Sequence, residues 1–145
     1  MAIADRRRSK VEDFVRLQLE PGEQMKSTVS FAWTGMSPWL MSIVLGYFIG
    51  YLLGMRMYAV VVTDRRVIYV QKTFWLGRPK VITGSDPLSA VRVASFRPPG
   101  LFGKLELTST AGPSKYWVPR IHKAEADAVV AALGGVTAAP PPPTQ

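Results

Sequence analysis

The sequence contains no cysteine, and its single histidine is His122. The absence of cysteine excludes disulfide bonds, thiol nucleophiles and cysteine metal sites. A histidine metal site would lack a second histidine ligand. No glycine-rich phosphate loop with a Lys-Ser or Lys-Thr ending is present, and no nucleophile lies beside a recognisable general base. The residues therefore predict a protein that is not an enzyme and that uses no cofactor or metal.

Charge is absent from a long stretch of the first half, because no charged residue lies between Lys26 and Arg56. The whole chain carries 18 Lys and Arg against 10 Asp and Glu, a formal charge of +8, and most of the surplus lies from Arg56 onward. A basic surface favours anionic partners, namely lipid headgroups, nucleic acid or an acidic protein. The composition thus indicates an apolar segment followed by a basic domain.

The uncharged segment contains a glycine series. Gly46, Gly50 and Gly54 are four residues apart, so they share one face of a helix and would let another backbone approach closely. Aromatic residues suited to a membrane interface or to the rest of the helix surface accompany them: Trp39, Tyr47, Phe48 and Tyr51. We predict that residues 35–56 form an apolar helical insert that lies in a membrane and permits self-association. The alternative is an oligomer interface in a soluble protein.

Residues 1–22 predict a basic N-terminus with an amphipathic helix over about residues 10–19. Ser9 and Glu12 have the spacing of a capping box, and a Pro-Gly pair stops the helical pattern. This helix either packs on the domain or lies on a membrane with the arginine cluster at 6–8 facing headgroups.

Residues 23–134 predict a domain of short strands closed by a helix. One strand, at 24–33, precedes the insert and six follow it, over 57–63, 66–72, 80–84, 90–96, 104–110 and 115–119. The closing helix begins near His122 and is predicted to bury an apolar stripe made of Ile121, Ala124, Ala128, Val129 and Ala132. Residues 135–145 are a disordered proline-rich tail in this interpretation.

Three stretches carry a resemblance to a known family: "LEPGEQ" (19–24), "YAVVVTDRRVIYV" (58–70) and "DPLSAVRV" (86–93). Together they resemble bacterial pleckstrin-homology-like domain proteins. The resemblance implies a mainly β fold with α, in which a bent antiparallel sheet of about seven strands is closed by a C-terminal helix. Members are often membrane-associated binding modules. The apolar insert occupies the position where phosphoinositide-binding relatives carry basic residues, so we do not carry that site over.

Basic and aromatic residues after the insert are candidate contacts with anionic lipid or with a partner. They are Arg56, Arg65, Arg66, Trp75, Arg78 and Lys80. Arg65 and Arg66 are either solvated charges of a turn or phosphate contacts. Trp75 lies in a segment that fits insertion among headgroups, stacking on single-stranded nucleic acid, or a partly buried loop.

A single membrane crossing by the insert would separate the strand at 24–33 from its sheet partners. Either that strand lies outside the sheet, or the insert returns on the side from which it entered. Flanking basic residues predict that the main domain is cytoplasmic. We therefore expect a non-enzymatic, membrane-associated binding or scaffolding module with anionic lipid, a second copy or a membrane protein as partner. The alternatives are a soluble self-associating module and, less favoured, a binder of single-stranded nucleic acid.

Overall fold

The computed structural model describes residues 3–34, 56–73, 78–97 and 102–135. These residues form two helices and seven strands, which are α1 (Ile3–Arg16), β1 (Met25–Thr34), β2 (Arg56–Thr63), β3 (Arg66–Lys72), β4 (Pro79–Pro87), β5 (Val93–Arg97), β6 (Phe102–Leu107), β7 (Lys115–Pro119) and α2 (Lys123–Ala132). Short 3₁₀ turns precede β5 and α2. The predicted mainly β fold with seven strands and two flanking helices is confirmed.

The strands form one open antiparallel sheet in the order β4-β3-β2-β1-β7-β6-β5. One strand precedes the segment 35–55 and six follow it, as predicted. β1 pairs along its length with β2, so the strand at 24–33 belongs to the sheet. The pairing of β1 with β7 is limited to Trp33 and Trp117. The helix α2 packs against β1, and there the Ser27 hydroxyl donates a hydrogen bond to the Ala128 carbonyl at 3.2 Å.

Both faces of the sheet are buried in part. The inner face packs against α2 and forms one hydrophobic core with residues from both halves of the sheet. In this core the rings of Tyr58 on β2 and Tyr116 on β7 pack edge to face, with their centres 6.2 Å apart. The outer face of β2 and β3 packs against α1 through Val11 and Val15. Since β2 and β3 are covered on both sides, their nearly continuous apolar sequences follow from burial.

Asp86, near the end of β4, ties the two halves of the curled sheet together. Its buried carboxylate accepts hydrogen bonds from the Tyr69 hydroxyl at 2.9 Å, the Ser109 hydroxyl at 3.0 Å and the Thr110 amide at 3.2 Å. Burial alone would raise the pKa of Asp86, but hydrogen bonds from Thr110, Tyr69 and Ala111 outweigh it and hold the pKa at about 2. The β6–β7 connection therefore folds back onto β3 and β4.

The predicted bounds of α1 are wrong at both ends. The helix begins at Ile3, and its early residue Arg7 contacts the domain, with Nη1 3.1 Å from Nε2 of His122 and the guanidinium 4.5 Å from the centre of the Phe31 ring. Ser9 is an exposed residue within the helix and does not cap it. The helix ends at Arg16, and the Gln18 amide then donates to the Val15 carbonyl in a turn at 2.8 Å.

The predicted apolar stripe of the closing helix is confirmed at Val129, which is buried, and at Ala132, which packs against the core, but it is wrong at its other three positions. Ile121 is 57% exposed, and Ala124 and Ala128 face solvent. The buried positions at the start of the helix are instead His122 and Glu125, with Ala126 and Val129 further along. The physical reason is that β1 supplies hydrogen-bond partners that make burial of these two polar side chains tolerable.

Candidate functional site

The antiparallel order places every second connection at the same end of the sheet. Thr34 and Arg56 are paired, so the chain leaves β1 and returns to β2 at neighbouring points. The β3–β4 connection after Thr73 and the β5–β6 connection after Arg97 start at this same end. We call it the insert end, and we call the opposite end, where Arg65 lies between β2 and β3, the turn end. At about 3.3 Å per residue, β2 separates the two ends by roughly 23 Å.

Three connections of apolar sequence leave from the insert end. They are 35–55, the Phe-Trp-Leu-Gly segment 74–77 and the Pro-Pro-Gly-Leu segment 98–101. Several predicted site residues belong to these connections and lie outside the described residues, so their roles stay predictions: Trp39, Gly46, Tyr47, Phe48, Gly50, Tyr51, Gly54 and Trp75. The structure thus places the flanking ends of these three connections at one end of the domain.

A transverse row on the outer face marks the base of the insert end, with one residue from each strand. In sheet order its members are Pro79, Lys72, Met57, Trp33, Trp117, Lys104 and Arg97. Directly paired residues of an antiparallel sheet present their side chains on the same face. The row passes from the buried side chains of Lys72, Met57 and Trp33 to the more exposed ones on β5–β7.

The half-buried Trp117 is the aromatic residue of the less buried part of this row. Lys104 lies 5.5 Å and Arg97 6.0 Å from the centre of its ring, within the range of cation–π attraction. Buried Trp33 and half-buried Phe31 continue the aromatic surface. Sequence reasoning did not single out Trp117, although alternation in "KYWVP" with buried Tyr116 and Val118 places it on the opposite face.

The basic residues of the insert end are largely without carboxylate partners. Arg56, Arg78, Lys80 and Arg97 are among those that form no ion pair within the described residues. All four are exposed. Lys104 is paired with Glu106 at 3.0 Å. This end therefore presents uncompensated positive charge beside aromatic side chains.

At the turn end, the two arginines predicted as site residues, Arg65 and Arg66, are both paired with carboxylates. Arg66 contacts buried Glu23 through Nε to Oε2 at 3.0 Å and Nη2 to Oε1 at 3.1 Å, and Arg65 lies 3.4 Å from Glu20. Hydrogen bonding from Arg66 outweighs burial, with help from Thr63, and lowers the pKa of Glu23 to about 2. The "PGE" and "TDRR" stretches thus contact each other. The structure does not bring Arg65 and Arg66 together with Arg56, Arg78 and Lys80.

A buried polar cluster lies behind the row, where α1, β1, β3 and α2 meet. Glu125 accepts from the Ser30 amide at 3.0 Å and hydroxyl at 2.8 Å, and its Oε1 lies 2.5 Å from Nδ1 of His122. Nη1 of Arg7 is 3.1 Å from Nε2 of His122. Since a guanidinium only donates, Nε2 accepts and the proton resides on Nδ1. The Lys72 ammonium donates to the Ser30 carbonyl at 2.5 Å.

Lys72 is a buried cation with an unfavourable charge environment. Its ammonium has three donors, and a single acceptor, the Ser30 carbonyl, among the described residues. The pKa of Lys72 is lowered to about 8, mainly by burial and then by the positive charges of Arg7 and Lys10. The negative charge of Glu125 acts in the opposite direction. A folded-state pKa below the unfolded value means that the charged side chain destabilises the fold at neutral pH.

Lys72→Met is therefore expected to raise the free energy of unfolding at pH 7 by about 1–2 kcal/mol. Relief of a pKa depression of this size is worth about 3 kcal/mol, and the lost bond to Ser30 subtracts about 1 kcal/mol. The gain should shrink as pH rises above 8 and be gone near 10.5, because the folded lysine loses its proton over that window. Chemical denaturation across pH measures it, with exposed Lys80→Met as the control. A loss of stability at pH 7 would contradict the assignment.

Neither helix in the described part of the chain is long and apolar enough to cross a membrane. Comparison of the chain with models of protein families, with curated proteins and with solved structures finds no match.

Proposed function

We propose that this chain is a non-enzymatic, membrane-associated binding or scaffolding module whose insert end faces anionic lipid. One observation carries the proposal: three apolar connections leave the sheet at the same end as exposed basic side chains without ion pairs and the half-buried Trp117. Apolar and aromatic residues favour the interfacial layer, and basic residues beside them favour anionic headgroups. In this proposal the basic domain lies on the cytoplasmic face.

The pairing of Thr34 with Arg56 supports attachment from one side of the bilayer. A segment that leaves and returns at one end of a sheet would have to cross the membrane an even number of times. Each crossing needs about 20 residues, and the whole segment 35–55 is barely that long. The proposal is therefore that this segment enters one leaflet and returns, with β1 and β2 on the same side of the membrane.

We also propose a pleckstrin-homology-like identity for the domain. The open seven-stranded antiparallel sheet, the α2 helix packed where β1 and β7 separate, and the contact between the "PGE" and "TDRR" stretches support it. Phosphoinositide recognition is not part of this proposal, since the segment between β1 and β2 is uncharged.

Neutralising three basic residues at the insert end is expected to weaken binding to anionic vesicles about 100-fold. The variant is Arg56→Gln, Arg97→Gln, Lys104→Gln, and each lost charge near the surface is worth about 1 kcal/mol. Cosedimentation of the full chain with phosphatidylcholine vesicles, with and without phosphatidylglycerol, measures the effect. The difference between the two vesicle types should largely disappear in the variant.

A matched control removes three charges from the turn-end side of the domain: Lys26→Gln, Arg65→Gln, Arg92→Gln. It carries the same net charge as the first variant, so a response to total charge alone would affect both equally. We expect the control to bind like the wild type. Equal weakening in both variants, or tighter binding of the wild type to a single-stranded oligonucleotide than to vesicles, would overturn the proposal.

A further inference from the structure

An open cleft lies between α1 and the start of β4. It has a volume of about 460 Å³ and is lined by Lys10, Asp13 and Phe14 of α1 and by Arg78 and Pro79 beside β4. Volumes of this size accommodate small ligands and lipid headgroups. Pro79 pairs with Lys72 of the transverse row, so the cleft opens at the insert end.

Positive charge surrounds this cleft without matching negative charge. Lys10 and Arg78 form no ion pair within the described residues, and the Asp13 carboxylate is already paired with Arg16 at 3.1 Å. Lys72 behind Pro79 is a buried cation close enough to Lys10 for their charges to interact. The positive charge therefore attracts an anion into the cleft between α1 and β4.

We propose that this cleft binds the phosphodiester headgroup of an anionic glycerophospholipid. Lys10 and Arg78 contact the phosphate from the two sides of the cleft, and Phe14 and Pro79 contact the glycerol and first acyl carbons. A soluble phosphate would need a denser set of donors than two flexible cations, whereas a lipid gains further affinity from the bilayer around it. This inference rests on the proposed membrane function and adds a defined headgroup site to it.

Asp13 offers a substitution that should strengthen headgroup binding, in contrast to the substitutions of Lys10 and Arg78. Its carboxylate lines the cleft and opposes an anion, while Arg16 screens it in part. Asp13→Asn should therefore strengthen headgroup binding several-fold, and Lys10→Gln or Arg78→Gln should weaken it. A site that acted through net charge alone would respond in the same way to a substitution of any exposed charged residue.

The test uses the full chain in uncharged maltoside micelles, titrated with dihexanoylphosphatidylglycerol below its own micelle concentration and followed by amide NMR. We expect saturable shifts centred on Lys10, Asp13 and Arg78, and at least tenfold weaker binding in the Lys10→Gln, Arg78→Gln double variant. Arg65→Gln at the turn end is the matched control and should leave the affinity unchanged. Dihexanoylphosphatidylcholine, which has the same phosphodiester but no net charge, should bind much more weakly.

Each outcome bears on one claim. Shifts that are absent, unsaturable or insensitive to Lys10 and Arg78 overturn the cleft, even if the protein still sediments with anionic vesicles. Localised, saturable shifts from a chain that fails to sediment support the cleft and contradict the membrane function. Inorganic phosphate that binds as tightly as the short-chain lipid overturns the lipid as ligand and favours a soluble phosphate.

Discussion

Arg66→Gln is expected to lower the free energy of unfolding by about 3 kcal/mol at neutral pH. The Glu23 side chain is fully buried, and Arg66 gives it two charge-assisted hydrogen bonds of 3.0 and 3.1 Å. Removing one partner of such a pair leaves a buried, uncompensated charge, which typically costs about 3–5 kcal/mol. The lower end applies because Thr63 still donates to Glu23 at 2.7 Å.

The loss should depend on pH in a defined direction. The pKa of Glu23 is lowered from 4.5 to about 2, mainly by Arg66, so its carboxylate stabilises the fold above pH 4.5 and loses this effect as pH falls toward 2. In the variant, burial without Arg66 favours the protonated form. The stability difference between wild type and variant should therefore be full at pH 7 and shrink below about pH 4.5. Urea denaturation over this range measures it.

Arg65→Gln is the matched control for Arg66. It lies next in sequence and carries the same charge, but its side chain is 48% exposed and its partner Glu20 is 60% exposed. Exposed pairs of this kind are worth about 0–1 kcal/mol. Equal losses from the two substitutions would contradict the buried pair. If folded Arg66→Gln protein binds vesicles as tightly as the wild type does, then Arg66 stabilises the fold and does not contact lipid.

The hairpin of β2 and β3 was the most predictable part of the fold. Its two strands match the predicted 57–63 and 66–72 within one residue, because β-branched residues and the Asp64-Arg65 turn act locally. Strand edges near β5 and β6 were less predictable. There Thr108, predicted as strand, leaves the ladder and its hydroxyl accepts from the Arg92 amide at 2.8 Å.

Side-chain partners distant in sequence were not predictable from local pattern. Glu23 and Glu125 look like surface residues in the sequence, and each is buried only because a distant strand supplies its donors. The same effect misplaced the buried face of α2, where apolar periodicity favoured Ile121. Regular alternation in β1 also fails, since a register irregularity between Val29 and Ala32 changes which residues share a face.

The insert end could have been predicted by counting. If consecutive strands are antiparallel, the first, third and fifth connections fall at one end, and in this sequence those are 35–55, 74–77 and 98–101. Counting the strand connections does not predict which basic residues form ion pairs. Arg65 and Arg66 were grouped with Arg56 by closeness in sequence, yet the length of β2 separates them. The cleft beside Lys10 requires the position of α1 on the sheet, which no local pattern indicates.

Glu125→Gln is expected to lower the free energy of unfolding by about 3 kcal/mol. The carboxylate accepts three hydrogen bonds, two from Ser30 and one from His122, and both oxygens are in use. An amide has one acceptor oxygen, so either orientation turns its NH₂ group toward a donor, and a buried donor loses its partner. The substitution also removes a negative charge that favours the protonated form of the buried Lys72.

The consequences should extend to the position of both helices, since the cluster joins α2 to β1 and, through His122 and Arg7, to α1. Hydrogen exchange should therefore quicken in α1 and in the first turn of α2, while β2 and β3 retain most of their protection. Asp127→Asn is the control, because this carboxylate is exposed and its one ion pair in the described part of the chain is with Lys123 at 3.4 Å, so the loss of stability should stay within about 0.5 kcal/mol. A Glu125→Gln protein as stable as the control would mean that α2 is held by its apolar contacts alone. If the double variant Lys72→Met, Glu125→Gln regains more than the sum of the single effects, then Glu125 stabilises the fold chiefly by compensating the charge of Lys72.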